Sequence, residues 1–257
     1  MPYANNGNIK IYYEVEGAGA PLVMLHGLTG NGEGWRESGY VDGLKDEYQI
    51  ILMDFRGHGK SDKPHDPAQY TVEDIVGDVT TVLDRLGIET ASFHGYSFGG
   101  GICYELARRI PGRIKALIIG GCGAQNPPRE MLEGQSKLFE SGVENIIGAY
   151  EQNGPLPPGV KAKILANDYQ ALAAVCKGMM TFPPVINHVP EMKMPILLYA
   201  GEKDFGFQAV VETSKMLPNA TLVALPGLDH MLGGGSSGLV IPHFKKFLTR
   251  VNRSKKA

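Results

Sequence analysis

His94-Gly95-Tyr96-Ser97-Phe98-Gly99-Gly100 is the stretch on which the reading of this chain turns. Gly-x-Ser-x-Gly between a short apolar strand and an amphipathic helix has the form of a nucleophile elbow. There the chain turns so sharply that the serine sits on strained backbone with its hydroxyl exposed. Gly95 and Gly99 flank the turn, where a side chain would collide with neighbouring backbone. The pentapeptide alone is a weak signal, and the alternative is a glycine-rich turn with an ordinary serine. Its flanks sharpen it. Ala91-Ser92-Phe93 ends a buried strand after the turn residue Gly87, and Ile102, Leu106 and Ile110 recur at helical spacing beyond the serine.

Upstream, the apolar run Pro21-Leu22-Val23-Met24-Leu25 leads directly into His26-Gly27-Leu28-Thr29-Gly30. A second run, Ile50-Ile51-Leu52-Met53, leads into Asp54-Phe55-Arg56-Gly57-His58-Gly59-Lys60-Ser61. Strand, His-Gly loop, strand, Asp-x-Arg-Gly-His-Gly-x-Ser and serine elbow, in that order, resemble the α/β-hydrolase superfamily. The resemblance runs from about Ile9 to the C-terminal helix. It implies an α/β fold: a mostly parallel, eight-stranded hydrolase sheet with helices on both faces and a small helical cap.

The rest of the pattern agrees with that expectation. Ile9 to Val15 alternates and predicts an edge hairpin strand, and further buried strands end near Ile119, Ala200 and Leu225. Val72, Ile75, Val76, Val79, Val82, Leu83 and Leu86 make one apolar stripe, with Thr71 as N-cap and Gly87 as stop. Leu239, Val240, Phe244, Phe247 and Leu248 predict a last helix packed on the sheet. Between Ala124 and Met194 the pattern changes to short helical stretches set off by prolines, among them Pro127-Pro128, Pro155, Pro157-Pro158, Pro183-Pro184 and Pro190. The expected division is a core of residues 1–123 and 195–257 with a helical cap at 124–194.

Composition narrows the function classes. At 257 residues the chain can bury a large core, and its net charge of −2, with both signs dispersed, suits no nucleic-acid face. The basic end (Arg250, Arg253, Lys255, Lys256) is expected to be solvated. Cys103, Cys122 and Cys176 are too scattered for a disulfide framework or a metal site. Neither a signal peptide nor a membrane span is visible, so a cytoplasmic location is expected. No cofactor or metal is called for, and the expected partner is a small-molecule ester or lactone.

A serine hydroxyl becomes a useful nucleophile only when a base takes its proton. The superfamily order of serine, acid, histidine makes His230 the expected base for Ser97. His243 also lies late enough, but within an amphipathic helix. The acid position resembles Gly201-Glu202-Lys203-Asp204, at the end of a strand, and assigns Asp204; Glu202 and Asp229 are the competitors. The preceding strand runs into Gly120-Gly121-Cys122-Gly123, which carries no carboxylate. By resemblance, the oxyanion would be held by the backbone N–H groups of Leu28 and Phe98. His26 and His58 are expected to shape loops, and Gly233 to Gly238 to be a flexible lead into the last helix. Trp35, Met179, Met180 and Phe182 are candidate apolar lining of a pocket between sheet and cap, with plain packing as the equal alternative for each.

The expected activity is hydrolysis of small to medium, mainly apolar carboxylic esters through an acyl-enzyme. A lactonase, a carbon–carbon bond hydrolase, a cofactor-free perhydrolase and a small-ligand receptor with a retained triad are the alternatives.

Overall fold

Alternate residues of the central strands go to opposite faces of one sheet, as a two-residue period requires. In β3 (Ala20–Leu25), Leu22 and Met24 join one apolar cluster while Val23 and Leu25 join the other. β4 (Tyr48–Met53), β6 (Ile114–Gly120) and β7 (Ile196–Gly201) divide in the same way. Strands buried on both faces need helices on both faces.

The structure is a computed structural model that describes residues 2–152, 156 and 158–253. With β1 (Tyr3–Asn6), β2 (Ile9–Glu16), β5 (Ala91–Tyr96) and β8 (Ala220–Leu225), the sheet has eight strands in the order β1-β2-β4-β3-β5-β6-β7-β8. β2 is antiparallel to its two neighbours, and all the other pairs are parallel. The fold is that of an α/β hydrolase, and the sheet is open. Helices α1 (Glu33–Glu37), α2 (Tyr40–Leu44) and α11 (Ser237–Arg253) pack on one face. Helices α3 (Val72–Arg85), α4 (Phe98–Arg109) and α9 (Phe207–Met216) pack on the other.

α3 starts where its sequence says. The Thr71 hydroxyl accepts from the Asp74 N–H at 3.1 Å and the Asp74 carboxylate accepts from the Thr71 N–H at 3.3 Å, a complete capping box.

Three expectations are corrected. β2 is not the edge: it pairs on one side with β4 and on the other with β1, whose four residues Tyr-Ala-Asn-Asn carry too little apolar pattern to announce a strand. β5 runs past Phe93 to Tyr96, so the strand delivers the chain straight into the elbow. Gly233 to Gly238 is not a flexible lead. Gly233 to Gly235 belong to α10 (His230–Gly235), and Ser237 and Gly238 open α11. The Asp229 carboxylate caps α10 by accepting from the Leu232 N–H at 2.9 Å, which offsets the glycines' poor helix propensity.

Between residues 124 and 194 the described residues contain helices and no strand: α5 (Arg129–Glu140), α6 (Val143–Glu151), α7 (Pro158–Leu165) and α8 (Tyr169–Met179). Phe139, Ile146, Ile164, Leu172, Ala173 and Cys176 form an apolar cluster of their own there, and Leu28 from the β3 loop packs against it. His65 reaches from the loop after β4 to Asp168, the N-cap of α8, at 3.0 Å. Pro155, Pro157, Lys255 and Lys256 lie outside the described residues. Among the described residues no helix is long and apolar enough to cross a membrane.

Candidate active site

β5 ends at Tyr96 and α4 begins at Phe98, so Ser97 alone makes the turn between them. Its backbone has φ 53° and ψ −113°, and among the described residues it is the one non-glycine with positive φ. Such a conformation persists only when its surroundings enforce it. They do so here by close approach. A β-carbon on Gly95 would strike the Gly99 carbonyl, and one on Gly99 would strike the Leu25 carbonyl. The Ser97 N–H donates to the Gly120 carbonyl at 2.9 Å, which ties the elbow to β6.

Two loops at the same end of the sheet meet this serine. Asp204 follows β7 and is buried; its Oδ1 accepts from the Gly206 N–H at 2.8 Å. His230 opens α10 beyond β8. Its Nδ1 lies 2.8 Å from Asp204 Oδ2 and its Nε2 lies 3.0 Å from Ser97 Oγ. The carboxylate can only accept, so the ring carries its proton on Nδ1 and turns the Nε2 lone pair toward the serine hydroxyl. Ser97, His230 and Asp204 thus form one hydrogen-bonded chain assembled from three separate loops. The competing groups do not join this chain. Glu202 is exposed, the Asp229 carboxylate caps α10, and His243 is exposed on α11.

The His-Gly loop after β3 runs beside the elbow. The His26 carbonyl accepts from the Gly99 N–H at 3.1 Å, and a β-carbon built on Gly27 would lie 3.7 Å from that of Ser97. The Leu28 and Phe98 N–H groups therefore belong to the two segments that flank Ser97. Among the described residues neither donates to a protein backbone acceptor outside regular elements. Phe98 is also the first residue of α4, where the helix dipole favours negative charge.

Buried histidines hold these loops. His26 Nε2 accepts from the Phe55 N–H at 3.1 Å while its Nδ1 meets the Gly27 carbonyl at 2.8 Å, and burial lowers its pKa to about 4. His58 lies between carbonyls: Nδ1 is 3.0 Å from Arg56 O, and Nε2 hydrogen-bonds Leu28 O. Burial, with His26 alongside, lowers its pKa to about 3, so the neutral ring has one N–H for the two acceptors. Asp54 closes the same loop by accepting from the Gly32 and Lys60 N–H groups, both at 2.7 Å.

Several of these partners carry no local sequence signal. The Tyr96 hydroxyl donates to the His230 carbonyl, and its ring lies 5.2 Å from the imidazole. Arg56 makes a buried two-pronged pair with Asp78 of α3, at 2.6 Å on each prong. The candidate pocket residues scatter. Trp35 is buried in the apolar cluster under α11, its ring 4.6 Å from that of His94, so it packs on the face away from α3 and α4. Met179 and Phe182 are half-buried against the main core, and Met180 is half-buried at the end of α8. Burial raises the thiol pKa of Cys122 and Cys176 to about 12 and that of Cys103 higher still, so none offers a thiolate at neutral pH.

Residues 20–154 match the family model described as the alpha/beta hydrolase fold. The chain is 28% identical over 281 aligned positions to the cis-3-alkyl-4-alkyloxetan-2-one decarboxylase of Shewanella oneidensis, covering 96% of this chain and 87% of that one. Among solved structures it superposes on the enol-lactonase of Burkholderia xenovorans LB400 with a TM-score of 0.85 at 24% identity, covering 96% and 100% of the two chains. On a thermophilic esterase from Thermogutta terrifontis the TM-score is 0.81 at 23% identity, covering 95% and 94%.

Proposed function

The chain belongs to the alpha/beta hydrolase family, and on that premise we propose that it is a serine hydrolase of carboxylic esters with small to medium, mainly apolar substituents. The observation that carries the reading is the hydrogen-bonded chain from Ser97 Oγ through His230 to Asp204, with the serine on a strained turn.

The chemistry follows from those atoms. As Ser97 Oγ adds to the ester carbonyl carbon, its proton passes to His230 Nε2. Asp204 holds the ring in the tautomer that can receive it and stabilises the imidazolium that results. The carbonyl oxygen becomes an oxyanion, which the Leu28 and Phe98 N–H groups receive. Preorganised donors of this kind contribute roughly 100- to 1000-fold each. Collapse breaks the carbon–oxygen bond to the alcohol, which takes the proton from Nε2 and leaves an acyl-serine. Water repeats the sequence and frees the acid. Residues 124–194 act in this reading as a cap over the site, since their apolar cluster takes in the side chain of Leu28.

The test is turnover of p-nitrophenyl esters of graded acyl length by wild type and Ser97→Ala. Loss of roughly 10⁵ to 10⁶ in kcat is expected, because the members of such a chain act as a unit. An alanine variant that keeps its activity would overturn the reading.

A further inference from the structure

The surface beside His230 is apolar in a way that packing does not account for. Phe205 is 77% exposed, Met231 76% and Leu232 56%. Phe205 directly follows Asp204, while Met231 and Leu232 directly follow His230. The two loops are joined, because the Lys203 N–H donates to the Leu228 carbonyl at 2.9 Å. Among the described residues the imidazole has two aromatic neighbours. Tyr96 is buried, and Phe205 stands in solvent with its ring 4.6 Å away, tilted by 37°. Scattered exposed apolar side chains are ordinary, but large ones on the two joined loops that carry Asp204 and His230 mark a surface that meets something apolar.

Mechanism says what passes there. In acylation the bond from Ser97 Oγ to the acyl carbon forms and the bond from that carbon to the alcohol oxygen breaks. The proton taken from Ser97 goes from His230 Nε2 to that leaving oxygen. The leaving oxygen must therefore come within hydrogen-bond reach of Nε2. Its substituent then lies near the imidazole, whose exposed aromatic neighbour is Phe205.

We propose that Phe205, with Met231 and Leu232, forms the platform for the alcohol part of the substrate, and that the enzyme is selective for esters of apolar, aryl-bearing alcohols such as benzyl esters. The proposal rests on the serine-hydrolase reading above and deepens it.

The experiment compares methyl butyrate with benzyl butyrate. The two share one acyl-enzyme, and their alcohols are of similar acidity. Wild type is expected to favour the benzyl ester in kcat/KM. Phe205→Ser should cut the benzyl-to-methyl ratio by roughly fivefold to tenfold, the scale of one aromatic pairing. Met231→Ser should cut it less. A change that lowers both esters equally, or leaves the ratio alone, would overturn the proposal, because Phe205 would then only steady the ring of His230. Loss of a wild-type dimer in Phe205→Ser, with the ratio intact, would also overturn it by assigning the surface to a second copy of the chain.

A second measurement needs no turnover. Benzyl alcohol added to ¹³C-methyl-methionine protein should shift the Met231 signal in wild type and in Ser97→Ala, but not in Phe205→Ser. No shift in wild type counts against the platform. If Ser97→Ala hydrolyses both esters like wild type, the serine-hydrolase reading fails on its own, whatever Met231 does.

Discussion

Ser97 stands out in sequence by the glycines of its elbow, whereas Asp204 and His230 are expected through the resemblance, from a Gly-x-x-Asp after a strand and from the chain order of serine, acid and histidine. What the local pattern lacked was the disposal of the rivals. Asp229 adjoins His230 in sequence, yet its carboxylate is taken by the N–H of Leu232. This gives a sharp comparison. Asp204→Asn should lower kcat by roughly 10⁴, since the amide favours the wrong imidazole tautomer. Asp229→Asn should leave kcat near wild type and the protein as stable, because asparagine caps a helix about as well as aspartate. Steady-state kinetics and urea titration of both variants check it, and the reverse order of the two kcat values would move the acid to Asp229. The Tyr96 hydroxyl on the His230 carbonyl was not legible at all, since its two ends lie far apart in the chain.

At the scale of elements, the start of α3 was legible to the residue because its cap is local, while its apolar stripe runs one residue past the helix end at Arg85. The loops were not. The stretch from Asp54 to Ser61 announced itself as a motif, but its work lies in contacts to distant chain: Asp54 to Gly32, Arg56 to Asp78, and His58 to Leu28. The last of these links a buried ring to the segment proposed to hold the oxyanion. His58→Ala should free the Leu28 carbonyl and let that segment drift. The expected result is a fall in kcat of roughly tenfold to a hundredfold with a smaller change in KM. A displacement of about an ångström is enough for such a loss. A rise in KM at constant kcat would mean instead that His58 serves substrate binding.

For the whole molecule, the sheet and its two covered faces were legible from the alternation of strands and helices. The ends of the sheet were not: β1 is short and polar, and only pairing with β2 makes it a strand. Burial also has a consequence for the molecule as a unit. His26, His58 and His94 are fully enclosed, with pKa values lowered by burial to about 4, about 3 and about 3. In the unfolded chain they would titrate near ~6.5. Below that pH the unfolded chain gains protons that the native protein does not take up. The stability they confer is therefore complete above ~6.5 and declines as pH falls, levelling off for each residue once its native pKa is passed. Three such groups give a slope of up to about 4 kcal/mol per pH unit in mid-window. Urea titrations between pH 7.5 and 4.5 should show that decline, and His94→Phe should make it shallower. Stability that stays flat from pH 7 to 5 would contradict the burial of these rings as neutral groups.

A serine hydrolase of this kind must carry a covalent acyl group at Ser97 during turnover. Rapid mixing with a p-nitrophenyl ester, followed by acid quench and peptide mass mapping, measures it directly. The expected result is a burst of one p-nitrophenol per protein, with the acyl mass on the peptide that contains Ser97, and neither in Ser97→Ala. Steady turnover with the acyl mass on another residue, or undiminished turnover by Ser97→Ala, would contradict it.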